Sequence, residues 1–296
     1  MDLLKNISVI FMSIFFESLP FLLLGSIISS IIEVFVSEEI FEKIIPKNKI
    51  LSSIVGVVLG FFLPACDCAV IPVSKRLLKK KVPINVSISF MLASPIINPV
   101  VLLSTYLAFY KTNPNIFWYR LLFGIVVAFI IGTIMGIVFG KEEVITNNSD
   151  KDCACEHSNH NHKENKFTSI IEHTTLDLFD VVKYLMFGAL IASLMQVLIP
   201  RSIIATFNNN ILSIIILMIF AYLISLCSTS DSFVGKSLLS TFTESSIVAY
   251  LLLGPMIDIK NTMVLLGNFK KKFVITLISL IFIVIFIVSA LVVNIL

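Results

Sequence analysis

The sequence predicts an all-α polytopic membrane protein built from two similar halves. Three observations carry that prediction: apolar residues fall in long blocks, helix-breaking motifs recur at matching places, and the charges gather between blocks. Hydrophobic residues make up 57% of the 296 and charged residues 14%, with 25 Phe against one Trp. Mean hydropathy is +0.99, far from the balance of a soluble domain. A bilayer core of about 30 Å takes roughly 20 apolar residues per helix. The chain offers eight such blocks, at 7–36, 50–74, 84–110, 117–140, 176–199, 211–235, 245–267 and 273–295. Counting their breaks separately gives about 8–10 membrane segments.

The first block follows Met1-Asp2-Leu3-Leu4-Lys5 and runs past signal-peptide length with no A-x-A-like cleavage site, so an uncleaved anchor helix is expected. The second ends in "LPACDCAVIPVSKRLLKKK" (63–81), where Pro64 and Pro72 bracket Cys66, Asp67 and Cys68. Pro95 and Pro99 interrupt the third block, and the fourth closes the first half, 1–140. A polar stretch at 141–175 links it to the second half, 176–296. There, "SLCSTSDSFV" breaks the block at 211–235, with serine and threonine hydroxyls to satisfy the backbone, and Gly254-Pro255 breaks the next.

Laying one half over the other places Cys66 on Cys227, Pro95 on Pro255 and Asn98 on Asp258. Lys75, Arg76, Lys79, Lys80 and Lys81 mark the loop after the first break as cytoplasmic, whereas the matching stretch, 236–244, holds only Lys236 and Glu244. The bias reverses after the second break, where Lys270, Lys271 and Lys272 stand against Lys111. Inverted repeats explain both contrasts better than parallel ones, and they require one broken segment per half to be a re-entrant hairpin. The 141–175 loop then shares the cytoplasmic face of Lys75 to Lys81.

Broken backbone at membrane depth is tolerated only where protein or a water-filled cavity covers it, so the breaks are site candidates; a plain proline kink is the alternative. Asp67, Asp231 and Asp258 all fall at breaks, where an ionised carboxylate costs several kcal/mol unless it pairs or carries a proton. Cys66, Cys68 and Cys227 are soft donors suited to thiophilic metals or metalloids, though buried cysteine also serves as a small hydrophobe. The substrate or ion pathway is therefore read as Cys66, Asp67, Cys68, Asn98, Cys227, Ser228, Asp231, Asp258 and Asn261. In the polar loop, "CACEHSNHNH" places Cys153, Cys155, His157, His160 and His162 within ten residues, the density of a metal-gathering tract. No tightly bound cofactor is expected beyond a transition metal there.

Other classes fit poorly. A formal charge of +3 with the basic residues confined to short loops gives no nucleic-acid signature. The cysteine placement argues against a secreted disulfide framework. No GxxxxGK[ST] run is present, so transport would draw on a gradient or another subunit. An enzyme working through a Cys66/Cys68 redox pair is the weakest reading, because Asp67 disfavours a neighbouring thiolate.

The two long signatures, "LPACDCAVIPVSKRLLKKKVPINVSISFMLASPIINPVVLLSTYLAF" and "SLCSTSDSFV" with "GPMIDIKN", resemble those of the ArsP/YraQ-type predicted permeases, most of all the YcgR-type branch. The resemblance implies a plasma-membrane permease rather than an enzyme. Members named for arsenic export trivalent organoarsenicals, and a related branch is associated with copper and zinc efflux. It also implies a second membrane subunit as partner, beside the lipid bilayer and a metal or metalloid substrate; a non-transporting role within that complex stays open, as does homo-oligomerisation. Carried over by position, the motif residues are Pro64, Cys66, Cys68, Pro72, Pro95, Asn98, Pro99, Cys227, Asp231, Gly254, Pro255, Asp258 and Asn261.

Overall fold

The computed structural model describes residues 2–35, 45–46, 48–63, 66–139, 144–146, 166–198, 210–239 and 241–295. Pro64 and the loop residues Cys153, Cys155, His157, His160 and His162 lie outside them. Twelve helices account for nearly all of the described chain. The first six are α1 (Asp2–Phe35), α2 (Lys49–Phe62), α3 (Val70–Lys79), α4 (Ile84–Ile97), α5 (Pro99–Phe109) and α6 (Asn115–Val138). The second six are α7 (Lys166–Leu198), α8 (Asn210–Ile224), α9 (Ser228–Leu238), α10 (Glu244–Met256), α11 (Ile259–Asn268) and α12 (Lys271–Ile295). Their lengths run 34, 14, 10, 14, 11 and 24 residues, then 33, 15, 11, 13, 10 and 25. α7 begins inside the span read as the inter-half linker. Extended structure among the described residues amounts to one isolated antiparallel bridge, Ile145 with Phe269.

Among the described residues five stretches are long and apolar enough to cross a bilayer: Lys5–Ser30, Ile84–Phe109, Asn115–Val138, Glu244–Asn268 and Lys271–Leu291. Two of these are interrupted, α4 passing to α5 at Asn98 and α10 to α11 at Ile257-Asp258. α2 and α8 are apolar but short. At 1.5 Å per residue each reaches about 21–23 Å, less than the hydrocarbon thickness.

The hydrogen bonds show how the short helices are used. α2 runs beside α4 in the same direction: Asn85 Nδ2 donates to the Lys49 carbonyl (2.7 Å) at their starts, and Ser94 Oγ donates to the Leu63 carbonyl (2.9 Å) at the far end of α2. Two glycines allow the approach. A Cβ on Gly56 would lie 2.4 Å from the Val86 carbonyl oxygen, and one on Gly60 2.9 Å from the Ser94 nitrogen. The chain turns at 66–69 and returns through α3 to the start of α4, so α2 and α3 form a re-entrant hairpin. α8 and α9 form another. Ser213 and Ser246 share a 2.8 Å hydroxyl contact at the starts of α8 and α10, and the chain returns through α9 to that same end.

The hairpins enter from opposite faces. Lys75 Nζ of α3 donates to Asn268 Oδ1 (3.0 Å), while Thr146 N bonds the Asn268 carbonyl (3.1 Å) and Lys270 N the Val144 carbonyl (2.9 Å). The α3 end, the α11–α12 junction and the described part of the linker therefore share a face. At the other face, the turn between α5 and α6 meets the start of α10 through Asn113 and Glu244.

Several expectations change accordingly. The blocks at 50–74 and 211–235 are hairpins with their tips inside the protein rather than single spans. Lys75, Arg76 and Lys79 belong to α3, not to a loop, and the first two are buried. Pro72 sits within the first turn of α3, where its missing N–H costs little, so the first break closes before it. Pro95 and Pro255 lie inside α4 and α10, just ahead of the interruptions, and Pro99 is the first residue of α5.

This topology makes a labelling prediction. In a cysteine-free background, an impermeant maleimide applied to intact cells should modify Thr112→Cys and spare Lys79→Cys and Lys271→Cys until the membrane is opened. Labelling of all three from outside contradicts hairpins entering from opposite faces.

Candidate functional site

Each break exposes helix-terminal groups that need partners, and the sequence supplies them locally. Asn98 caps α5, its Oδ1 accepting from Val100 N (3.0 Å). Asp258 caps α11, its Oδ1 accepting from Asn261 N at 2.6 Å. These are the two residues the sequence alignment superimposes, and they do the same work. At the hairpin tips, the Cys66 carbonyl accepts from Ala69 N and Val70 N (both 3.0 Å), and the Cys227 carbonyl accepts from Asp231 N (3.0 Å) as α9 begins. Ser225, at φ 55°, makes the sharp turn before α9.

The two tips and the α11 break meet at one buried ammonium group. Lys260 Nζ lies 3.3 Å from Asp67 Oδ2 and 3.5 Å from Asp258 Oδ2. Asp67 is 3% exposed, Asp258 0% and Lys260 3%. Ser228 Oγ, from the opposite hairpin, donates to Asp67 Oδ1 (3.3 Å), and Lys260 N donates to Ser225 Oγ (3.4 Å). Asp67 and Lys260 also line a recess of about 10 Å³ together with Cys66, Cys68 and Cys227 and with Glu17 and Ser18 of α1, room for roughly one water. Cys66 and Cys227 are half-buried and Cys68 is buried. The three thiols therefore share one cavity, as unpaired cysteines. Among the described residues no group of three or more His, Cys, Asp or Glu side chains is arranged to hold a metal ion.

A second polar cluster lies along α9. Arg120 of α6, fully buried, donates from Nη1 to Thr105 Oγ1 (2.7 Å) and Ser232 Oγ (2.8 Å), and from Nη2 to the Ser228 carbonyl (3.3 Å). Asp231 takes a hydrogen bond from the Tyr250 hydroxyl at Oδ1 (3.0 Å), and its Oδ2 has no hydrogen-bond partner. A Cβ on Gly254 would lie 2.6 Å from that oxygen, so glycine is what admits the carboxyl here.

Of the pathway residues read from sequence, Cys66, Asp67, Cys68, Cys227, Ser228 and Asp258 converge at Lys260. Asp231 belongs to the neighbouring cluster. Among the described residues Asn98 makes its cap and no other side-chain hydrogen bond, and Asn261 is buried beside Asp258 with its Oδ1 unpartnered. Sequence reading passed over Lys260, Arg120 and Tyr250. The first had a signal, a lysine two residues after a break aspartate within an apolar block. Arg120 had a signal too, a charge within the apolar block at 117–140, and Tyr250 carried none.

A fold of spanning and re-entrant helices with its polar residues gathered at the breaks is that of a membrane permease, and comparison with known proteins agrees. The family described as "Predicted permease", of the ArsP type, matches residues 3–295, and the chain belongs to it. It is 41% identical over 266 residues to a Streptococcus mutans protein named "Putative two-component membrane permease complex subunit", covering 90% of this chain and 87% of that one. It is 39% identical over 277 residues to the UPF0718 protein YcgR of Bacillus subtilis, covering 93% of each. No solved structure matches.

Removing the ammonium should destabilise the centre. Lys260→Met leaves two buried carboxylates facing each other, and breaking a buried pair this way costs about 3 kcal/mol. Thermal unfolding of the detergent-solubilised protein should fall markedly, and Lys260→Met with Asp67→Asn should recover part of the loss. Equal melting of Lys260→Met and wild type would show that the cluster contributes nothing.

Proposed function

We propose that this chain is a secondary exporter of a thiophilic species, a trivalent arsenical or a soft metal ion such as zinc or copper, and that it carries out no enzymatic step. The observation that carries the reading is the recess at the hairpin tips. Two elements entering from opposite faces present Cys66, Cys68 and Cys227 to one small cavity, beside the buried pairing of Asp67 and Asp258 with Lys260. Thiols bind soft species in preference to hard ones. A small cavity between two hairpins lets either side open while the other stays shut, which alternating access requires.

The inverted-repeat reading supports this. The order of helix lengths recurs between halves, Asn98 and Asp258 cap equivalent helices, and the hairpins enter from opposite faces. Charge enters through Asp67, Asp258 and Lys260, so cation or proton movement in the gradient can be felt at the recess. The Cys153, Cys155, His157, His160 and His162 tract gathers metal at the cytoplasmic face and delivers it, without forming the pathway.

A second reading has one observation in its favour, the name of the Streptococcus mutans relative: this chain works as one subunit of a two-protein membrane complex. The thiol recess lies wholly within the chain, so the pathway is assigned here and the partner to assembly or regulation.

Cells lacking the gene should accumulate one thiophilic species from a panel of trivalent arsenicals, zinc and copper, and re-expression should reverse it. Cys66→Ser and Cys227→Ser should each fail to reverse it while inserting normally. Replacing the five loop ligands should preserve export at high substrate and weaken it at low. Unchanged accumulation across the whole panel contradicts the exporter reading, and full export by Cys66→Ser/Cys227→Ser contradicts the site.

A further inference from the structure

The charges gathered at the breaks do not balance. Three carboxyl groups, Asp67, Asp231 and Asp258, stand against two cations, Lys260 and Arg120, and all five are at least nine-tenths buried. A net ionised charge at membrane depth is costly, so the cluster is neutral only when one carboxyl carries a proton. We infer that the proton is held by Asp231, and that Asp231, Arg120 and Tyr250 form a proton-binding site distinct from the thiol recess. This deepens the exporter reading and rests on it for the purpose of the proton, though not for its location.

Geometry selects the residue. Asp67 and Asp258 both face the Lys260 ammonium within 3.5 Å, so each already has a cation as partner. Asp231 makes no ion pair among the described residues. The guanidinium nearest it is turned onto neutral oxygens of Thr105, Ser232 and Ser228, an arrangement that a bare carboxylate close by would disrupt. Its own contacts are one phenol at Oδ1 and, at Oδ2, a fully buried position against Gly254. The charged and titratable groups facing Asp231 are Arg120 of α6, Tyr250 of α10, Asp67 of the first tip and Lys260 of α11. From α5, the hydroxyls of Ser104 and Thr105 contact Ser232, the residue next to Asp231.

Loss of the proton from Asp231 to water would create a carboxylate beside Arg120 and draw the guanidinium from the Ser228 carbonyl. Ser228 is also the residue whose hydroxyl holds Asp67. One residue thus joins the two clusters, and a proton leaving Asp231 loosens the contact between hairpin tips that closes the recess. The step moves one proton and breaks no covalent bond other than its O–H.

Infrared spectroscopy of the purified full-length protein in lipid nanodiscs, titrated with pH, tests the assignment without substrate. Wild type should show the carbonyl stretch of a protonated carboxylic acid at neutral pH, lost on alkalinisation. Asp231→Asn should lack that band. Tyr250→Phe should shift its frequency, since Oδ1 loses its donor, and this variant decides the matter if Asp231→Asn does not fold. A band that persists in Asp231→Asn, one unmoved in Tyr250→Phe, or none in wild type overturns the inference. The exporter reading fails separately, by unchanged cellular accumulation with the band in place.

Discussion

An ammonium group buried at membrane depth is costly unless charge of the opposite sign meets it, and Lys260 meets two, Asp67 and Asp258. The three groups come from two separate places in the chain, the tip of the α2–α3 hairpin and the capped start of α11. Holding them together fixes where the first hairpin stops and where the interrupted helix is cut. The second hairpin is tied in by Ser228 on Asp67 and Ser225 on the Lys260 backbone. A continuous helix at either break would remove the cap that positions Asp258 and the turn that delivers Asp67. The irregular backbone and the buried charge therefore depend on each other.

That dependence explains the use of small residues around the site. Gly56 and Gly60 bring α2 against α4, so that the hairpin reaches the centre instead of being held off by side chains. Gly254 admits Asp231 in the same way, one residue before the proline that precedes the second break. Close approach is a general device where helices pack in lipid. Here its effect is to place a set of polar groups that no regular spanning helix would present.

Much of this was legible in the sequence because membrane helices are governed by length and break signals. The apolar blocks, the prolines and the recurring Cys and Asn/Asp positions located every break. The reversal of lysine bias called for a hairpin in each half, and α2 with α3 and α8 with α9 supply them. What escaped notice depended on side-chain direction. Lys260 follows Asp258 closely in sequence, yet only the bend at the α10–α11 break turns it toward Asp67. Arg120 lies in the apolar block at 117–140, but only the packing of α6 shows that it points inward to α9. Tyr250 sits in an apolar helix where nothing local foretells a partner nineteen residues back in α9. The loop ligands from Cys153 to His162 stand apart, outside the described residues, and their role rests on their chemistry alone.

The central claim is that hairpins from opposite faces bring their tips together at one recess. It is tested most directly by crosslinking Cys66 to Cys227 in native membranes, in a variant with Cys68, Cys153 and Cys155 replaced by serine and a protease site placed within 147–165. After treatment with a mild oxidant or a short bifunctional thiol reagent and cleavage of the linker, the two halves should migrate as one species, separable by reduction when oxidant was used. Halves that run apart under every crosslinking condition, with both thiols still reactive, would contradict it.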